Sequence, residues 1–322
     1  MTQTYSHGFE LSKLSYGFKI LFFLLISFAS LCLGLFIGFL FLKPLFGISF
    51  QEVALMTENF QDPKNIAVLR FLQIVQTIFL FIVSSVFFYY FTRNDRPKTE
   101  WFAGKLTLII ILALVFLTIA WLPITDFLAT LNQKMSLPSF LSEIEKWMKE
   151  KEEAATELTI AMLKMGSIAE FSYVLFLVAL LPAIGEELFF RGSLQPLLIG
   201  MFKNSHAGVW ICAIIFSAIH VQFYGFIPRM MLGVVFGYLF LWTGNIWVPI
   251  IGHFINNGTA VIASYIFQLE NPEKVFDASG TFSLQLTIIG FAIAIPLLTY
   301  FYQKRIQNST TINESEYGTR LG

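Results

Sequence analysis

Charge is scarce in this chain. Asp, Glu, Lys and Arg make up 13% of its 322 residues and hydrophobic residues 56%, a balance that soluble domains of this size do not keep. The 21 basic and 21 acidic residues cancel, so no bulk field would attract nucleic acid, and no nucleic-acid partner is expected. Cysteine is nearly absent. Cys32 and Cys212 both lie in apolar runs, where a thiol behaves as a small hydrophobe, and neither a disulfide nor a cysteine metal site is expected. No small-residue cleavage site follows the first apolar run, which therefore reads as a retained helix and not as a signal peptide. There is no internal repeat and no stretch with the composition of a soluble domain.

What fills the chain instead is apolar sequence with 37 Phe and a mean hydropathy of +0.69. The fold class this predicts is all-α: a polytopic transmembrane helical bundle of about eight spans, with membrane lipid as its surroundings. Spans are expected at 20–42, 71–91, 106–122, 171 into the charged motif at 186–191, 207–220, 228–241, 248–267 and 284–302. Lys43-Pro44 should end the first and Pro123 the third. Three spans form an N-terminal region, 1–136. The core of the chain is 171–267, the last span is 284–302, and the polar tail 306–322 reads as disordered.

Between the third and fourth spans the periodicity changes. Over 137–165, Leu137, Phe140, Leu141, Ile144, Trp147, Met148, Ala155, Leu158 and Met162 mark one face of a 3.6-residue period, with Lys and Glu on the other. This is an amphipathic helix of the kind that lies on a membrane surface, or a lid over a substrate entrance. Eight spans place both termini on one side. Lys13, Lys19, Arg93, Arg96, Lys98, Lys105, Arg191, Lys203, Lys304 and Arg305 gather there, which makes the termini cytoplasmic and the amphipathic helix external.

The chemistry concentrates where charge interrupts the fourth span, at Gly185-Glu186-Glu187-Leu188-Phe189-Phe190-Arg191-Gly192. Insertion of one such charge near a bilayer centre costs about 2.5 to 3.5 kcal/mol, so three together call for a reason. Glu187 and Arg191 are spaced i, i+4 and can pair, whereas Glu186 points about 100° away and is left free. Of four histidines, His7 and His206 fall in polar segments and read as surface residues. His220 and His253 end or occupy apolar runs, and His253 and Asn257 share one helix face.

Taken singly, these residues have plain structural readings. A lone intramembrane histidine serves as a helix-to-helix hydrogen-bonding group, and Glu187 with Arg191 as a structural ion pair. Together, Glu186, His220, His253 and Asn257 bring a carboxylate, two imidazoles and an amide from three helices, a set suited to hydrolysis and also to a metal or proton path. A carboxylate in a low-dielectric cavity suits a general base that takes a proton from water, and His253 with Asn257 can donate to an oxyanion. Ser217 is near His220 in sequence, but no nucleophile-base pair stands out.

At these residues the sequence resembles the CPBP family, the CAAX-protease and bacteriocin-processing group of intramembrane endopeptidases. Its Glu-Glu-x-x-x-Arg motif is similar to Glu186-Glu187-Leu188-Phe189-Phe190-Arg191, its Phe-x-x-x-His to Phe216-Ser217-Ala218-Ile219-His220, and its His-x-x-x-Asn to His253-Phe254-Ile255-Asn256-Asn257. The resemblance covers about 171–267. It implies an endopeptidase acting on a membrane-associated peptide or protein, with Glu186 and His220 activating water and His253 and Asn257 binding the oxyanion or a metal. Glu187, Arg191 and Phe216 would support the site. The family is called a metalloprotease, so zinc held by Glu186, His220 and His253 is one implication; a metal-free glutamate-water mechanism is the other. Two further readings are a non-catalytic scaffold or immunity protein of the same fold and an ion transporter, the latter weakened by the lack of inverted paired segments. Glu186 and His220 are expected near opposite ends of their spans, so short or broken helices are needed to bring them together.

Overall fold

The computed structural model describes residues 14–56, 62–92, 101–102, 104–270, 280 and 282–318, with backbone alone for 54–56 and 306–318. His7, Lys13 and the basic connection 93–98 lie outside the described residues. Ten helices follow in order: α1 (Tyr16–Phe46), α2 (Phe50–Met56), α3 (Pro63–Thr92), α4 (Leu108–Gln133), α5 (Ser142–Met162), α6 (Ile168–Phe202), α7 (Ser205–Ala218), α8 (Phe226–Thr243), α9 (Trp247–Glu270) and α10 (Leu284–Gly318). Extended pairing among the described residues is limited to one bridge, Phe102 to Asn245. The chain is an all-α polytopic bundle. Among the described residues, seven helices are long and apolar enough to cross a membrane, and α7 is a shorter apolar one.

Local sequence sets most ends. Ser15, Asp62, Thr107, Ser167 and Asn204 accept N–H groups of the first turns of α1, α3, α4, α6 and α7, the usual N-cap chemistry. Gly47 and Gly244 close α1 and α8 in the left-handed conformation, at φ 65° and 61°. Prolines end fewer helices than expected. Pro44 lies inside α1 and Pro123 inside α4, and α10 packs against the second, where Thr287 donates to the Pro123 carbonyl at 3.3 Å. The expected disordered tail is helical as far as Gly318, with no proline or glycine between Leu297 and Tyr317 to stop it.

The fourth span also runs further than expected. It does not end at the charged motif but continues to Phe202, because two π-helical turns, Leu175–Leu180 and Phe190–Leu194, carry it through without a break. The prolines that follow them, Pro182 and Pro196, have no N–H for the carbonyl four residues back. Both carbonyls find other donors. Asn257 Nδ2 donates to Val178 O at 3.3 Å, and Trp101 Nε1 donates to Gly192 O at 2.9 Å.

Two apolar clusters flank α6 and α9. One joins α1, α3, α6 and α7 through Phe23, Phe81, Phe88, Phe189, Phe190, Cys212 and Phe216. The other joins α4, α8, α9 and α10 through Leu114, Leu117, Trp121, Phe236, Leu239, Val248 and Phe301. The polar side chains lie between these two walls. The amphipathic helix α5 leaves Ile144, Trp147 and Leu158 of its apolar stripe exposed, as the turn before it leaves Phe140. It contacts the rest through Trp147, whose ring is tilted against Phe223 at 5.2 Å, and Glu152, which accepts the Tyr224 N–H at 3.2 Å.

Candidate active site

The heights of Glu186 and His220 follow from the length of α7. Glu186 stands seventeen residues before Lys203 and His220 seventeen after it. Lys203, at φ 50°, begins the reversal between α6 and α7, so two antiparallel helices bring the two residues level. With 14 residues, α7 is about 21 Å long, short of the ~30 Å hydrocarbon core. It stops beside the charged motif, and opposite ends of full-length spans, as expected from the sequence, do not arise.

Helix α8 packs on α6 at a fixed offset. Arg191 Nη2 donates to Gly233 O at 2.9 Å, and one turn on Gln195 Nε2 donates to Gly237 O at 3.1 Å. Both acceptors are glycines, four apart. A Cβ on Gly237 would lie 2.9 Å from Gln195 Oε1 and from Val209 Cγ1, so the small residues permit this approach. Gly233-Val234-Val235-Phe236-Gly237 was legible as a small-xxx-small pattern, although sequence reasoning did not use it.

Glu187 is the hub of the buried part. It is wholly buried, and Arg191 is 1% exposed. Arg191 Nη1 donates to Glu187 Oε1 at 3.0 Å, and His253 Nδ1 lies 2.8 Å from the same oxygen. A carboxylate oxygen only accepts, so His253 carries its proton on Nδ1 toward Glu187. The guanidinium also lies over the Phe216 ring, 5.0 Å from its centroid. Phe216 stands edge-on to His253, and Phe236 stacks on the other side of that imidazole at 5.7 Å. The ring is held on three sides.

Glu186 is the carboxylate with solvent access, its side chain 14% exposed. Its Oε2 lies 3.9 Å from His253 Nε2, beyond a direct hydrogen bond, but a single oxygen about 2.8 Å from each could bridge them. His220 is half-buried and places Nδ1 2.8 Å from Phe216 O. That carbonyl only accepts, so the neutral ring has its lone pair on Nε2. Asn257 is half-buried too, with Oδ1 accepting from Asn256 at 3.1 Å and Nδ2 donating to Val178 O; its second Nδ2 hydrogen is uncommitted. Ser217 donates to Phe226 O at 2.7 Å, which ties α7 to α8. His206 meets Tyr238 Oη at 2.6 Å on the exposed surface.

Zinc requires several donors converged at about 2.0 to 2.3 Å from one point. Among the described residues no three His, Cys, Asp or Glu side chains converge in that way. The arrangement as it stands does not fit the ion.

Comparison with known proteins points the same way as the motifs. Residues 168–259 match the family model described as type II CAAX prenyl endopeptidase Rce1-like, a range that takes in all three motifs. The chain is 34% identical over 111 residues to the membrane-embedded CAAX protease MroQ of Staphylococcus aureus, covering 33% of this chain and 43% of that protein. It is 33% identical over 96 residues to the uncharacterized protein YpbD of Bacillus subtilis, covering 29% and 46%. The chain thus spans less than half the length of these two relatives. No solved structure matches. With seven apolar helices of crossing length and a membrane-embedded relative, the chain is an integral membrane protein, and its residues 168–259 are similar to the CAAX-protease, or CPBP, family.

Proposed function

We propose that this chain is an intramembrane endopeptidase that hydrolyses a peptide bond of a membrane-associated peptide or protein with a water activated by Glu186. The observation that carries this reading is the fixing of both histidines. Phe216 O and Glu187 each hold one Nδ1, so both Nε2 atoms are left for other partners, and Glu186 stands solvent-accessible beside His253. A purely structural pair of histidines would be expected to use both nitrogens within the bundle.

In this mechanism a water donates one hydrogen to Glu186 and the other to His220 Nε2. Its oxygen attacks the peptide carbonyl carbon as Glu186 takes the proton, and the carbonyl electron pair moves onto oxygen. The oxyanion accepts from the free Asn257 Nδ2 hydrogen beside the imidazole of His253, which Glu187 holds by Nδ1. When the tetrahedral species collapses, the C–N bond breaks and Glu186 returns the proton to the leaving amine. No step passes through a metal.

Counting α7 as a short eighth pass keeps both termini on one side, and Lys19, Lys203, Lys304 and Arg305 make that side cytoplasmic. The exposed apolar stripe of α5 then lies in the outer membrane interface. The test is hydrolysis by the purified chain in liposomes with membrane-anchored peptides. Cleavage by the native protein that falls at least about 10³-fold in Glu186→Gln, the scale of a lost general base together with its positioning, supports the reading. Equal cleavage by both proteins rejects it.

A further inference from the structure

Arg229 is a half-buried cation that the proposed mechanism does not use. It stands in the first turn of α8, and the offset that sets Gly233 against Arg191 brings it level with Glu187. Its guanidinium packs over Gly225, where a Cβ would lie 3.1 Å from Nη2. Nη2 donates to Gln222 Oε1 at 2.5 Å. Nη1 is sealed from solvent and has no acceptor among the described residues.

A permanent cation with an orphaned N–H inside a membrane protein is costly, and two carboxylates stand near it without accepting from Nη1. Glu186 on α6 and Glu152 on α5 are within electrostatic reach. Arg229 stands nine residues after His220 along the chain and one turn before Gly233 on α8. A planar guanidinium with one edge tethered and one N–H free is suited to receive a carboxylate oxygen.

We infer that Arg229 is a specificity-determining residue that receives a carboxylate of the substrate through Nη1, with Gln222 fixing its orientation. The inference rests on the protease reading and deepens it, since it restricts the substrate to peptides with a carboxylate a short distance from the scissile bond. That carboxylate is either the C-terminus or an Asp or Glu side chain.

The test reads binding on full-length Glu186→Gln protein in neutral-lipid nanodiscs, which does not require turnover. Three hexapeptide pools of matched composition are compared: one with a free C-terminal carboxylate and no acidic residue, one amidated, and one amidated with a single Asp. At least one carboxylate-bearing pool should be retained about tenfold over the plain amide pool, and the preferred pool names the source. Arg229→Gln should abolish the preference and Arg229→Lys keep part of it. Gln222→Ala, which leaves the charge and removes its tether, should weaken the preference about threefold. Equal retention of all three pools, no retention of any, or a preference that survives Arg229→Gln overturns the inference. Discrimination without any cleavage by the native protein would defeat the protease reading while Arg229 still bound the anion, so the two failures are distinct.

Discussion

Glu187 Oε1 receives both the Arg191 guanidinium, at 3.0 Å, and His253 Nδ1, at 2.8 Å. One buried oxygen thus joins an ion pair within α6, whose Arg191 also donates to Gly233 O of α8, to the imidazole that faces Glu186. In the proposed mechanism the two adjacent glutamates divide the work, one for position and one for chemistry.

Glu187→Gln should therefore affect stability and activity separately. It leaves Arg191 buried without its counter-charge, a loss of about 3 to 5 kcal/mol. The double variant Glu187→Gln/Arg191→Met removes the uncompensated charge and should recover much of that stability in reversible unfolding from mild detergent. Activity should stay low, because the carboxylate that orients His253 is still missing. Recovery of activity along with stability would show that Glu187 does nothing beyond pairing with Arg191.

Asn257 should show the reverse pattern. Side-chain hydrogen bonds inside membrane proteins average about 0.6 kcal/mol and reach about 1.7, so Asn257→Ala should cost no more than that in stability. If the same side chain helps hold the oxyanion, hydrolysis should fall about 10²-fold or more. Pro182→Ala restores an N–H that can reach Val178 O, and in that background the stability cost of Asn257→Ala should shrink toward zero while the activity loss remains. An activity loss no larger than the stability loss explains would remove Asn257 from the site.

Gly237 tests the packing that sets Arg191 and Arg229 at their levels. Ala at this position puts its Cβ 2.9 Å from both Gln195 Oε1 and Val209 Cγ1, and overpacking of that kind costs about 1 to 3 kcal/mol. Val should cost more than Ala. Cross-linking between cysteines placed on α6 and α8 should report wider helix separation in step with the stability loss. Unchanged stability in Gly237→Val would mean that the two helices are free to move apart.

The metal-free route makes its own prediction. Hydrolysis by chain purified and dialysed against a chelator should stay within about twofold of the untreated rate, a difference too small to represent a lost Lewis acid. A loss of tenfold or more that added zinc restores would contradict a glutamate-water route.

Much of this arrangement was legible in the sequence, and each part that was not has a definite physical cause. Charge within an apolar run located Glu186, Glu187 and Arg191, and i, i+4 spacing foretold the Glu187–Arg191 pair. That spacing says nothing about a third helix, so the bond from His253 to Glu187 was out of reach. Apolar runs gave the helices but misplaced their ends at Pro44, Pro123 and Gly192, because a bundle can cover a disturbed backbone that an isolated helix cannot. The similar height of Glu186 and His220 depended on α7 being too short to cross, a matter of a few residues at each end. Arg229 stood in plain view as a charge in an apolar span, and only the lack of an acceptor for its Nη1 among the described residues suggests a task for it.

The most direct test of the central claim compares the termini of membrane-derived peptides in cells that carry the native protein and cells that carry Glu186→Ala at equal abundance. The account predicts a set of new termini present only with the native protein, cut at a bond close to the membrane surface. Identical termini in both, with the Glu186→Ala protein folded and in the membrane, would contradict it.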